Sequence, residues 1–310
     1  MNKKCFWIYV CVIGLTQNAR SQQTSTLEKT AVEIPSTPHT LANSSFIGET
    51  PGGSFVSYRS VPSAKITLVV MSKDGKTQQE REFTTVKVGK EKQFPLTFFA
   101  LNNEIYVMYF SRNKKESKQV YVAYRINQQN LVPEVEAKKL FEYAYSGYID
   151  QVATTNGMQV LVVPGGQRVV MYSAAKVTTT SSSMHMRCFN HELELIHFAE
   201  HATPMEPMDV RQQLVGNDGS LYVLYQGIPA NANAHTLPPF KILKLGVDGK
   251  SEIKPIELFG EHLMDMRMLL AKNGNITMAG YYSENAHNSI RGVFSALLDN
   301  TTLALSNITT

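Results

Sequence analysis

The feature that most constrains this chain is a repeat. Met208-Asp209-Val210-Arg211 and Met264-Asp265-Met266-Arg267 carry one pattern, Met-Asp-x-Arg, 56 residues apart. The segments after each copy match as well. The first copy leads to a turn at Asn217-Asp218-Gly219, an apolar segment over 220–225, a loop, a strand-like segment over 240–245, a turn at Asp248-Gly249 and a return over 253–258. The second leads to a turn at Asn273-Gly274, then 275–282, 290–298, a turn at Asp299-Asn300 and a return over 303–308. The same plan runs upstream through 46–86, 94–137 and 148–198, where Arg168 to Tyr172 adds a possible further strand. Turns before the second strand fall near residues 52, 103 and 157.

The segments are short, rich in β-branched and aromatic residues, alternate with polar ones, and are bounded by Gly, Asn and Asp. That pattern predicts antiparallel strands. A four-stranded unit cannot bury both faces alone, so neighbouring units must stack. Kelch-type blades repeat at about 50 residues and WD40 blades at about 40–45, and the spacing here fits the longer blade. Radial closure also removes the exposed edges of an open stack. The expectation is an all-β chain forming a β-propeller of about five four-stranded blades. The alternative is a β-sandwich pair, which accounts for the strands but not for their repeated order. Hydrophobic residues at 43% and charged residues at 18% are an ordinary globular balance, which excludes disorder and coiled coil.

The N-terminus reads as an export signal. Lys3 and Lys4 precede an 11-residue apolar stretch over 5–15, and Ala19-Arg20-Ser21 supplies a small-x-small cleavage pattern. The apolar run is shorter than the ~18 residues of a membrane span. The domain expectation is a signal peptide over 1–21, an extended arm rich in Gln, Ser, Thr and Pro over 22–44, and the propeller over 45–310. Cleavage removes Lys3, Lys4 and Arg20 and leaves 27 basic against 26 acidic residues. A nearly neutral chain without a basic block gives no footprint for nucleic acid or an anionic membrane. Of three cysteines, only Cys188 lies beyond the signal, so no internal disulfide is expected.

Met278-Ala279-Gly280-Tyr281-Tyr282-Ser283, followed by a polar loop, Ile290-Arg291-Gly292-Val293-Phe294 and Leu298-Asp299, resembles a blade pattern of exported bacterial β-propeller-like proteins. The likeness covers about 30 residues. Earlier units depart from it, with Gln226-Gly227 or Phe110-Ser111 at comparable places. It implies a secreted or envelope-associated protein and no reaction.

Three groups of residues carry the functional expectations. Asp209 with Arg211 and Asp265 with Arg267 share a strand face at i and i+2, as channel-lining or inter-blade ion pairs. Tyr225, Pro229, Asn231 and His235, at and within the loop over 227–239, join Tyr281 and Tyr282 as candidate partner contacts, because long loops and aromatic rims carry recognition. His185, His191, His197 and His201 crowd with Glu192, Glu194 and Glu200 at no known metal-ligand spacing, and read as a solvated strand and loop. No metal or other cofactor is expected. The sequence lacks HExxH, CxxC, G-x-S-x-G, P-loop and calcium-loop motifs. The leading expectation is a non-enzymatic exported binding or scaffold protein with a protein or glycan partner. The alternatives are a carbohydrate-active enzyme with acids at the axis and a truncated propeller without activity.

Overall fold

The computed structural model describes residues 44–60, 65–113, 115–144, 158–176, 182–201, 208–227, 239–258, 262–284 and 290–310. They form a β-propeller of five antiparallel meander sheets, with no helix among the described residues. Blade 1 is β1 (Ser44–Thr50), β2 (Gly53–Ser60), β3 (Lys65–Met71) and β4 (Thr77–Phe83). Blade 2 adds a short strand β5 (Val86–Val88) before β6 (Glu91–Leu101), β7 (Glu104–Asn113), β8 (Lys118–Asn127) and β9 (Val132–Ala144). Blade 3 is β10 (Met158–Val162), β11 (Val169–Lys176), β12 (Ser182–Phe189) and β13 (Leu195–His201). Blade 4 is β14 (Met208–Val215), β15 (Leu221–Gly227), β16 (Phe240–Leu245) and β17 (Ser251–Pro255). Blade 5 is β18 (His262–Leu270), β19 (Ile276–Ser283), β20 (Gly292–Leu298) and β21 (Leu305–Thr309).

Successive blades meet through β1, β6, β10, β14 and β18, which approach one another in that order. These are the inner strands, and all run in the same direction through the ring. Four apolar clusters fill the gaps between blades 1 and 2, 2 and 3, 3 and 4, and 4 and 5. Strict alternation makes this possible. In β15, Tyr222 and Leu224 turn to blade 5 while Leu221, Val223 and Tyr225 turn to blade 3. The far face of blade 5 keeps the alternation without such a cluster among the described residues: Leu269 is 59% and Val293 60% exposed.

The hairpin turns reuse one device. In Gly216–Ser220 the Ser220 N–H bonds the Asp218 carboxylate at 2.9 Å, and Gly219 takes a left-handed φ of 94°. Asp248 with Gly249 and Asn273 with Gly274 repeat it. An Asx side chain mimics a backbone turn, and glycine accepts the positive φ.

Two details differ from the sequence expectation. Asn156-Gly157, where the sequence expects the turn of blade 3, lies outside the described residues. Met158–Val162 is the inner strand, a turn follows it at Gly165-Gly166 (φ 91° and 67°), and the segment at Arg168 to Tyr172 belongs to the second strand rather than to a further one. Val169 and Met171 of that strand pack against blade 2. Val86, placed by sequence at the end of blade 1, instead opens blade 2 with Lys87 and Val88 as a strand on its inner side.

Blades 4 and 5 are locked at their inner strands by one side chain. Gln212 Nε2–H donates to the Met268 carbonyl at 2.8 Å, and the Met268 N–H donates to Gln212 Oε1 at 2.6 Å. Gln212→Ala is expected to cost about 1–3 kcal/mol, because both Met268 groups lose their partner. Thermal melts of the variant check this.

Candidate functional site

The inner strands begin at one mouth of the ring, and both Met-Asp-x-Arg segments lie there. Asp209 stands three residues before Gln212 across the bulge at Arg211, and Asp265 three before Met268 with no bulge between. Asp209 lies opposite Gln226, on the face that Tyr222 and Leu224 turn to blade 5, whereas Asp265 alternates with buried Met266 and Met268 and shares the open far face of blade 5 with Tyr281 and Val293. The two carboxylates thus lie near the starts of neighbouring inner strands and face different sides of blade 5.

Each Asp contacts the Arg two residues on. Arg211 Nη2 reaches Asp209 at 3.0 Å and donates to Gln226 Oε1 at 2.9 Å. Gln226, directly opposite Asp209, is 3% exposed and gives this cluster a fixed base. Arg267 Nη1 reaches Asp265 at 3.1 Å and also donates to the Met266 carbonyl. The pairs thus lie within single strands, which corrects the inter-blade reading. A β-bulge interrupts β14 at Arg211 and β18 at Met264. Bulges re-aim side chains and recur beside active sites.

Tyr281 pairs across the strands with Asp265 on one side and Val293 on the other, and is 46% exposed. It therefore shares a sheet face with Asp265 and Val293, the open face of blade 5. Tyr282 is half-buried and packs on the cluster between blades 4 and 5, with its ring over Gly292. Tyr225 is 2% exposed inside the cluster between blades 3 and 4, so it offers no partner surface. Pro229, Asn231 and His235 lie outside the described residues.

The histidine-rich segment does not converge. His201 Nδ1 lies 2.7 Å from Ser251 Oγ, His185 lies 3.7 Å from Glu200, and His191 lies beside Glu192. Among the described residues no three metal-ligating side chains come together. Burial pushes the His185 pKa below the ordinary histidine value against the opposing pull of Glu200, and burial does the same at His201. A depressed folded pKa means the unfolded chain binds more protons in acid. Stability from these two residues is present above the ordinary pKa of about 6.5 and is lost as pH falls toward the folded values. The melting temperature is expected to drop below pH 6.5 with a shallower slope in His185→Gln. An unchanged slope overturns this. Cys188 is buried and its thiol is pushed up by burial, so it is not poised as a nucleophile.

The opposite mouth holds a half-open cleft of about 320 Å³ between β1, the β6–β7 turn and the β10–β11 turn. Its polar lining is Glu49, Asn102, Asn103 and Gln167, so it carries a single carboxylate. The paired acids are therefore at the mouth where the inner strands begin. Sequence reasoning named them from the repeat but missed Gln212, which joins β14 to Met268 of β18, and Gln226, which anchors Arg211. Gln212 comes directly after the first motif, and Met268 after the second at the same place.

No protein-family model matches the sequence, and no curated protein does. Solved structures are similar in fold. An α-L-arabinanase from Penicillium chrysogenum, complexed with arabinobiose, is 10% identical over 82% of this chain and 80% of that one, with a TM-score of 0.48. An α-L-arabinofuranosidase from Fusarium graminearum is 11% identical over 84% and 77%, at 0.47. A puromycin-hydrolyzing peptidase from Mycobacterium tuberculosis is 12% identical over 85% of this chain and 37% of that one, at 0.48. Two of these three are carbohydrate-active enzymes. The reading of this chain as a non-enzymatic binding or scaffold protein is corrected on that finding, and its carbohydrate-active alternative is carried forward.

Proposed function

We propose that the protein is a carbohydrate-active enzyme whose site is the mouth bearing Asp209 and Asp265. The observation that carries this is an exposed, Arg-braced carboxylate near the start of each of two neighbouring inner strands, β14 and β18, at this mouth. Glycoside cleavage uses two carboxyl groups about 5–10 Å apart, one on each side of the scissile bond. Asp209 and Asp265 supply two exposed carboxylates on adjacent inner strands at this mouth. Arg211 and Arg267 orient the carboxylates through their forked donors. Tyr281, exposed beside Asp265, offers a flat apolar face with a polar tip, the surface on which a sugar ring stacks. The N-terminal signal pattern supports action outside the cytoplasm, where polysaccharide is met.

The test is a substrate panel of plant and bacterial polysaccharides, arabinan included, read as released reducing ends. Release from at least one substrate by the native chain, with loss in Asp209→Asn, supports the proposal. No release from any of them overturns it.

A further inference from the structure

Blade 2 carries the one strand, among the described residues, that lies on the axis side of an inner strand. β5 pairs with the start of β6, so the β5–β6 hairpin stands at the mouth that holds Asp209 and Asp265. Every residue of β5 is exposed, and Gly89 turns the hairpin at a left-handed φ of 61° with open space around it. The hairpin therefore projects from the body rather than packing into it.

Its charges break a pairing rule. Lys87 and Lys92 are directly opposite each other, on one face of the ladder. Like charges in that position are destabilising. Lys90 is exposed in the same hairpin, and the adjoining β7–β8 turn adds exposed Lys115. Glu91, between Lys90 and Lys92, accepts from Ser111 at 3.1 Å and points along the other face. Among the described residues several other cations have acidic partners: Lys118 and Lys139 in Glu142, Arg211 in Asp209, Arg267 in Asp265, Arg291 in Glu284. A repelling pair on a projecting hairpin beside a site marks a place where local stability yields to function.

We infer that the substrate is an anionic polysaccharide, a uronate or sulfated glycan, drawn into the mouth by Lys87, Lys90 and Lys92. This rests on the reading of that mouth as a carbohydrate site and names its substrate class. Strands are spaced about 4.8 Å apart, so Lys87 and Lys92 present two ammonium groups to successive charges of a polymer. Lys87, Lys90 and Lys92 stand together on one projecting hairpin at this mouth, which favours a ligand that enters here over one that coats the surface.

The experiment is affinity electrophoresis of the full chain through gels containing polygalacturonate, chondroitin sulfate, neutral arabinan or a DNA oligonucleotide, at low and high salt. The expected result is retardation by polygalacturonate or chondroitin sulfate that weakens with salt. It should weaken at least ten-fold in K87Q/K92Q, whose melting temperature stays equal or rises because the like-charge repulsion is removed. Neutral arabinan should bind the native chain and the variant alike. Equal retardation by the DNA oligonucleotide, or anionic binding unchanged in the variant, overturns the inference. Binding or cleavage of neutral glycan alone overturns it while leaving the carbohydrate site standing. No binding or cleavage of any glycan overturns both.

Discussion

Asparagine at both positions 209 and 265 is expected to lower glycan turnover by about a hundred- to ten-thousand-fold, the range contributed by a positioned acid or base. Asn keeps the size and one acceptor oxygen of Asp but cannot hold or pass the proton, nor stabilise positive charge on the sugar. The fold should survive. Asp209 and Arg211 are 51% and 41% exposed at their side chains, and Asp265 and Arg267 are similarly open. Exposed pairs of this kind contribute about 0–1 kcal/mol. For the same reason Arg211→Ala with Arg267→Ala should barely move the melting temperature while disturbing turnover. Initial rates across substrate concentration, together with thermal melts, check the pair of statements. Full activity in the double Asn variant would remove these residues from the chemistry.

Phe189→Ala is expected to produce the largest loss of stability. Phe189 is fully buried between blades 2 and 3, with its ring centroid 6.3 Å from that of Phe141, which in turn stacks on Tyr121 at 4.6 Å. Removing a buried ring costs about 3–5 kcal/mol, since the surrounding strands close only partly around the gap. Two ladders fix the spacing here, so collapse is limited. In a domain of this size the melting temperature should fall by roughly 6–20 °C. Val293→Ala, on the open face of blade 5, should cost less than about 0.5 kcal/mol. Calorimetry on the two variants separates a packed inter-blade face from an uncovered one.

The strands were legible because their causes are local. Alternation of period 2 and the Asp-Gly or Asn-Gly turns act within a few residues, so four of the five blades could be outlined from the chain alone. In blade 3 the strand over 158–162 is the inner one rather than the second, and the segment at Arg168 to Tyr172 is the second rather than an extra one. That assignment rests on the contacts of Val169 and Met171 with blade 2, which no local pattern carries. The site was half legible. The Met-Asp-x-Arg repeat pointed to Asp209 and Asp265, yet it could not say whether each Arg would reach across blades or back along its own strand.

The sequence by itself determined an all-β chain of stacked four-stranded units and the residues that recur in them. Only the tertiary structure decided which faces are covered. Tyr225 and Tyr281 both lie near the end of their blade's second strand, and both read as rim aromatics. The first is sealed against blade 3 and the second stands open beside Asp265. Alternation specifies two faces for every strand, but burial depends on whether a neighbouring blade supplies the opposing surface. The joining of β14 to β18 is likewise tertiary, because no backbone ladder links them. A single glutamine side chain supplies the link.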